Sequence, residues 1–367
     1  MFMGLILPIS TSIKSKLMNI RQISMTTSIN CVKSLMYKEY GEPADVLQVT
    51  TQEIEQPASD QVSVKWLLAP INPADINTIQ GKYPSRPALP AIAGNEGVGE
   101  IIAIGSNVKD FCVGDRVVPN GPNFGTWRTQ ANYNSENVMK IPSDLDLVKA
   151  SMLNVNPCTA YRMLKDFVSL KPGDTVIQNG GNSAVGQLVI QLCKIWNYKS
   201  VSVVRDRPNI QELKDRLVRL GADEVLVESE VRTTQLFKNK QLSEPKLALN
   251  CVCGQSAVEI MRHLAHGGVM VTYGAMSREP ITVPVSALIF KDISLKGFWM
   301  TAWTNANLKS QERTDMFKEL AALFRDKKLC SPVHKLVPFC DYKEAVSQAL
   351  NFNGRKDTKY ILDMTKS

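Results

Sequence analysis

Between residues 175 and 227 short apolar runs alternate with amphipathic stretches in a fixed order, and nothing else in the 367 residues restricts the fold as much. Residues 175–178 read as a strand. Behind them Val185, Leu188, Val189, Leu192, Cys193 and Trp196 recur with the spacing of one helix face. Residues 200–204 read as a second strand, Ile210, Leu213, Leu217 and Leu220 as a second helix face, and residues 225–227 as a third strand. The pattern then repeats with a strand at 247–252, a helix at 257–264 stopped by Gly267-Gly268, and strands at 269–273 and 293–298. Strands crossed by helices in this order predict an α/β fold, a Rossmann-type doubly wound parallel sheet.

The remainder reads differently. Residues 32–150 are rich in Val, Ile, Gly and Pro, with strand-like runs at 62–68 and 99–104 broken at Asn72-Pro73 and Gly114-Asp115, which predicts a β-rich domain. The helix expected around 316–324 and the segment ending YILDM are too short for a third domain and are expected to pack back on the β-rich one. The expected division is therefore 1–30 as a presequence, 31–153 with 301–367 as the β-rich domain, and 154–300 as the nucleotide-binding domain.

Between the first strand and first helix of the alternating part lies VIQNGGNSAVGQ, residues 176–187. Counted from Gly181 it is the dinucleotide fingerprint G-x-G-x-x-G with Ser183 in place of the middle glycine. A serine there still serves an anion if its hydroxyl, with the N–H groups of the helix start, donates to a phosphate. About 20 residues on, where the ribose-reading group is expected, stand Arg205, Asp206 and Arg207. Guanidinium groups bind a 2′-phosphate bidentately and favour NADP over NAD. Asp206 as the ribose reader, and two solvated arginines opening a helix, remain as alternatives.

Composition excludes several classes. No run of about 18 apolar residues occurs, so no membrane span is expected. The eight cysteines show neither disulfide-scaffold density nor C-x-x-C spacing, so they are read as reduced and no structural zinc is expected. The formal charge of +8 is spread over short segments without interleaved aromatics, so nucleic acid is not an expected partner; a solvated basic surface or a face for an acidic carrier protein are the two readings. Residues 1–30 carry Lys14, Lys16, Arg21 and many hydroxyl residues, with no acid before Glu39, the chemistry of a mitochondrial presequence. A start at Met18 or Met25 would delete most of it and leave a cytosolic protein, and secretion is a minor alternative.

LPAIAGNEGVGEIIAIGSNVKDFCVGDRV, residues 89–117, resembles the P-x-x-x-G-x-E-x-x-G-x-V…G-D-R-V pattern of the medium-chain dehydrogenase/reductase superfamily. Its zinc-dependent members carry histidine where this chain has Asn95, a cysteine near Asn72 and a four-cysteine lobe, so the resemblance implies no catalytic metal here. INPADINTIQGKY, NVNPCTAYRML, QNGGNSAVGQ, VVRDRP and KGFWM together resemble the mitochondrial trans-2-enoyl-thioester reductases of type II fatty acid synthesis. The resemblance implies a GroES-like catalytic domain beside the Rossmann domain, a homodimer, and NADPH-dependent reduction of a trans-2-enoyl group on CoA or acyl-carrier protein.

It also implies roles by position. Tyr83 is the proton donor. Asn156 lies near the nicotinamide, or merely caps the helix that follows. Asn182, Ser183, Ala184 and Val185 line the pyrophosphate, and Arg205, Asp206 and Arg207 hold the adenosine ribose phosphate. Tyr273, Gly274, Ala275, Met276, Phe298, Trp299 and Met300 flank the cofactor, and Lys359 in TKYIL is a C-terminal basic contact. The chemistry needs no metal: hydride reaches the β-carbon, charge gathers on the thioester oxygen, and a phenol with an ordinary pKa near 10 is a fitting acid for the α-carbon, either directly or after first hydrogen-bonding that oxygen. Phe124, Trp127 and Trp299 are candidates for an acyl pocket, although aromatic residues are more often core. Gly181 and Ala184 depart from residues often seen in that group. A zinc-free quinone oxidoreductase of the same superfamily and a non-catalytic protein retaining the fold are the competing readings.

Overall fold

Lys359–Asp363, almost the last segment of the chain, pairs antiparallel with Gln61–Pro70 and parallel with His334–Pro338, so the C-terminus completes a sheet that the N-terminal part begins. This computed structural model describes Met1, residues 31–350 and residues 357–367. The expected presequence, with Met18 and Met25, lies outside the described residues. The completed sheet has seven strands, in which Gln61–Pro70 also pairs with Val98–Ile104 and Gln130–Asn134. A three-stranded sheet built on Cys31–Tyr37 lies beside it. Trp66 and Trp127 are fully buried in the core of this part, together with Val337, Phe339 and Leu362 from the C-terminal return.

Turns in this domain hold the site residues. Helix α1 (Pro73–Ile79) begins with proline, whose missing N–H removes one orphan donor of a helix start, and the Asp75 carboxylate accepts the Asn72 backbone N–H at 2.7 Å. Gly94 has φ +94°, and a Cβ there would stand 2.3 Å from the Trp127 ring. Only glycine therefore permits the turn that delivers Asn95 and Glu96.

The second sheet has six strands, all parallel: β1 (Thr175–Gln178), β2 (Lys199–Val204), β3 (Glu224–Val227), β4 (Leu247–Asn250), β5 (Val269–Thr272) and β6 (Ser294–Gly297). Their order is β3-β2-β1-β4-β5-β6, the doubly wound arrangement expected from the alternation. The order reverses between β1 and β4, and a crevice opens there at the carboxyl ends of the strands. Both faces of the sheet are covered, so Val176, Ile177, Leu247 and Ala248 are buried without polar alternation.

Helices α2 (Asn156–Asp166) and α3 (Ala184–Ile195) cross this sheet beside one another, and α4 (Ile210–Leu220) follows β2. The strands expected at 247–252 and 269–273 end at Asn250 and Thr272, because the chain leaves the sheet there to line the crevice. The helix Gln311–Arg325 was expected on the β-rich domain. It buries Met316, Phe317, Leu320 and Phe324 in a core shared both with Leu68, Val98, Val118 and Ile141 of the β-rich part and with Met163, Leu188 and Leu192 of the other, and Arg313 donates to Asn120 Oδ1 at 2.5 Å.

Candidate active site

A cavity of about 550 Å³ lies in the crevice between the two sheets. Tyr83, Asn156, Ser183, Ala184, Val185, Tyr273, Gly274, Ala275, Met276, Phe298, Trp299, Met300 and Lys359 line it. Residues separated by up to 276 positions are thus brought to one volume. Asn182, Arg205, Asp206 and Arg207 are not on its wall.

Tyr83 leaves α1 on a turn whose backbone N–H donates to Asn77 O at 3.1 Å, and its ring stands edge-on to Trp299 with centroids 5.8 Å apart. The Trp299 indole N–H donates to the Tyr83 hydroxyl at 2.6 Å. One domain supplies the phenol and the loop after β6 fixes it. Of the three aromatic residues weighed for an acyl pocket, only Trp299 reaches the cavity; Phe124 and Trp127 are core, where Phe124 stacks on Tyr133 at 4.4 Å.

The turn after β1 is closely packed. A Cβ on Gly181 would stand 2.7 Å from Ser202 Cβ, and one on Gly186 would stand 2.5 Å from the Gly180 carbonyl oxygen. These glycines let α3 begin against the strand and leave the backbone open to a dinucleotide pyrophosphate, so the turn fits such a cofactor. Ser183 is the N-cap of α3: its Oγ accepts the Gly186 N–H at 3.0 Å. The expected hydroxyl contact to phosphate is thus joined by a structural task, with the oxygen spent on the helix and its proton left to donate.

At the far end of the crevice three donors meet one carboxylate. Asp357 accepts from Asn182 Nδ2 at 2.5 Å, from Arg207 at 3.1 Å and from Arg216 on α4. Asn182, expected against a pyrophosphate, here faces an acid. Arg205 and Asp206 are exposed, and the Asp206 carboxylate accepts the Arg207 backbone N–H at 2.8 Å. An anion held by two guanidinium groups and a carboxamide marks a place where a phosphate would be equally well received.

A buried polar cluster of Asn72, Asp75, Asn156 and Lys359 lies in the cavity wall, with Glu96 behind it. Glu96 accepts Asn72 Nδ2 at 2.9 Å and the Val155 N–H at 2.7 Å, and Lys359 Nζ donates to Asn72 Oδ1. Burial pushes Glu96 up to about 7 and Lys359 down to about 8, each opposed by the charge of the other. Burial also raises Asp75, against hydrogen bonds from Asn72 and Asn95. Lys359, expected as a C-terminal basic contact, lines the cavity while its ammonium donates to Asn72. Asn156 is the first residue of α2 and not its cap, which is Val155.

Zinc does not fit. At Asn95 both ends of the carboxamide are occupied by Asp75 and by the Asn123 N–H, at 2.9 and 2.8 Å, and no group of three ligating side chains occurs among the described residues. No helix among them is long and apolar enough to cross a membrane.

Reading the sequence passed over Glu96, Asp75, Arg216 and Asp357. Glu96 stands at the fixed acid of the P-x-x-x-G-x-E pattern, which was the available signal for it. Nothing near Arg216 or Asp357 in sequence distinguishes them from surface charges.

Residues 58–143 match the family model described as alcohol dehydrogenase GroES-like domain, and residues 184–322 match the one described as zinc-binding dehydrogenase. The chain is 48% identical over 326 residues, 87% of it and 86% of the relative, to a mitochondrial enoyl-[acyl-carrier-protein] reductase of Rattus norvegicus. It is 42% identical to the enzyme of that name from Arabidopsis thaliana, over 90% of this chain and 88% of that one. Among solved structures, the mitochondrial 2-enoyl thioester reductase Etr1p/Etr2p heterodimer from Candida tropicalis is similar at 37% identity, with a TM-score of 0.85 over 91% of this chain and all of that one. A complex of Etr1p with NADP and crotonyl-CoA matches with a TM-score of 0.84 at the same identity and coverage. A sheet ordered for dinucleotides, a cavity bearing the tyrosine of the QGKY motif, and this identity over most of the length lead to one conclusion: the chain belongs to the family of mitochondrial enoyl-[acyl-carrier-protein] reductases, within the medium-chain dehydrogenase/reductase superfamily.

Proposed function

We propose that this chain reduces the double bond of trans-2-enoyl thioesters, on CoA or acyl-carrier protein, with NADPH as reductant in mitochondrial fatty acid synthesis. NADPH supplies the hydride. The observation that carries the reading is the Tyr83 phenol on the wall of a cavity whose other wall is the glycine turn. Tyr83 donates its proton to the α-carbon while the β-carbon is reduced, so the C=C bond becomes a C–C bond with no metal in the step. As that proton leaves, the Trp299 N–H keeps the phenolic oxygen partnered. Ser183 and the first N–H groups of α3 face the pyrophosphate, Arg205, Asp206, Arg207 and Asn182 the adenosine end, and Asn156 the nicotinamide end. Tyr273 to Met276, Phe298, Trp299, Met300 and Lys359 enclose the cofactor.

NADPH consumption measured with crotonyl-CoA, a longer enoyl-CoA, an enoyl-acyl-carrier protein and a quinone tests this. The thioesters are expected to be reduced, and reduction of the quinone alone would overturn the reading.

We also propose a homodimer. β6 is an edge strand exposed along its length, and Val285, Ile289 and Phe290 beside it are 66%, 67% and 74% exposed, an apolar edge suited to a second copy. Light scattering should give twice the monomer mass, and Phe290→Glu should halve it. The mitochondrial matrix is the proposed compartment, with a cytosolic form if translation starts at Met18 or Met25. A reporter fused to residues 1–30 tests the address, and a diffuse cytosolic signal would count against it.

A further inference from the structure

Glu96 is fully buried and does not touch the cavity, yet it governs side chains that do, Asn72 and through it Asn156. The two ends of a carboxamide are nearly equal in size, so only its partners decide which end points where. Both Glu96 oxygens accept here, and an ammonium can only donate. With Glu96 Oε2 taking Asn72 Nδ2 and Lys359 donating to Asn72 Oδ1, the Asn72 amide has one permitted orientation. That orientation is passed on: Asn72 Oδ1 must accept, so Asn156 offers it Nδ2, at 3.4 Å. Asn156 Oδ1 is thereby turned from the cluster and has no hydrogen-bond partner among the described residues. The second carboxylate oxygen, Oε1, accepts the N–H of Val155, immediately before Asn156. Glu96 therefore holds Asn156 twice, through the helix entry and through the relay of amides.

We propose that Glu96 is a positioning residue for the reaction: it makes Asn156 present a carbonyl oxygen, and not an amide N–H, to the nicotinamide end of the bound cofactor. The partner on the cofactor is a donor, a carboxamide N–H or a ribose O–H. This rests on the NADPH reading above.

Glu96→Gln exchanges one acceptor for a donor. Two NH₂ groups then face each other, Asn72 flips, and the flip reaches Asn156. Glu96→Gln with Asn72→Asp restores the pattern, because the new carboxylate accepts from the glutamine, from Lys359 and from Asn156. The measurements are the dissociation constant of NADPH by fluorescence and the inhibition constant of 2′,5′-ADP, which lacks the nicotinamide. The expected result for Glu96→Gln is NADPH binding weakened about tenfold with 2′,5′-ADP unchanged, and for the double variant a return to within about threefold of wild type. Unchanged NADPH binding in Glu96→Gln, equal weakening of both ligands, or no recovery in the double variant would each overturn the proposal. If Glu96→Gln does not fold, the double variant decides alone, and a tenfold loss in it overturns the proposal. Failure of wild type to bind NADPH would instead defeat the cofactor reading, so the two failures are distinct.

Discussion

The indole N–H of Trp299 donates to the hydroxyl oxygen of Tyr83 at 2.6 Å, across 216 residues of sequence and from one domain to the other. The phenolic oxygen is thus an acceptor on one side, which leaves its own proton for the cavity. Tyr83→Phe should lower kcat on crotonyl-CoA by ~10²- to 10⁴-fold, the usual loss of a general acid, with the NADPH dissociation constant unchanged. Trp299→Phe keeps an aromatic ring but removes the donor, and should lower kcat by about tenfold. Steady-state kinetics with NADPH saturating separates the two, and full activity in Tyr83→Phe would refute the acid role.

On the proposed binding of NADPH, its 2′-phosphate competes with Asp357 for the same guanidinium groups. Asp357 is 11% exposed at its side chain, so its charge is little screened by water. Asp357→Asn should lower the thermal stability of the cofactor-free protein and at the same time tighten NADPH binding by roughly three- to tenfold. NADH, without the phosphate, should gain much less. Fluorescence titrations with both nucleotides provide the check, and equal gains for the two would remove the competition argument.

The turn after β1 distinguishes two kinds of substitution. Ser183→Ala loses the N-cap of α3 and should cost about 1 kcal/mol, whereas Ser183→Gly should cost only a few tenths. Gly186→Ala drives a methyl group into the Gly180 and Gly181 carbonyls and should cost ~1–3 kcal/mol, with a raised KM for NADPH. A bulky residue at 183 should also raise that KM. Thermal unfolding and NADPH kinetics on the same preparations would order the series.

Glu96 also predicts a pH dependence. Its folded value of about 7 is above the ordinary 4.5, so folding takes up a proton between these limits. Its contribution to stability is therefore complete below about 4.5 and is lost as the pH rises through 7. Lys359, depressed to about 8 by burial, contributes oppositely: its term is present above 10.5 and is lost as the pH falls through 8, so it is nearly constant over the Glu96 window. Asp75, raised by burial as well, is common to both proteins compared. Urea unfolding free energies of wild type minus Glu96→Gln should fall between about pH 4.5 and 7; a flat difference would show that Glu96 titrates as an ordinary carboxyl.

The periodic parts of this chain were legible because each strand and helix carries its pattern locally. The six strands after residue 174 lie where the apolar runs put them, and the glycine turn lies between the first strand and its helix as its spacing requires. Tyr83 and Ser183 were legible through motifs. What escaped is non-local. The partner of Tyr83 is decided by how two domains meet, and the acid opposite Arg207 comes from the far end of the chain. Helix Gln311–Arg325 shows the same limit: its apolar face is readable, but which surface it covers is not. Glu96 was visible as the fixed acid of a motif, but its task was not, since that depends on Asn72, Val155 and Lys359 being brought around it.

The strand Lys359–Asp363 lies between His334–Pro338 and Gln61–Pro70 in the first sheet. During synthesis the N-terminal strands emerge long before the segment that must lie beside them. The first sheet cannot close until residues 359–363 have been made, and the buried lysine beside the cavity arrives in the same segment. A chain clipped before residue 359 would lose an interior strand of that sheet and the anchor of Asn72 in a single event. Damage at the tail should therefore be read out at the catalytic centre rather than tolerated as fraying.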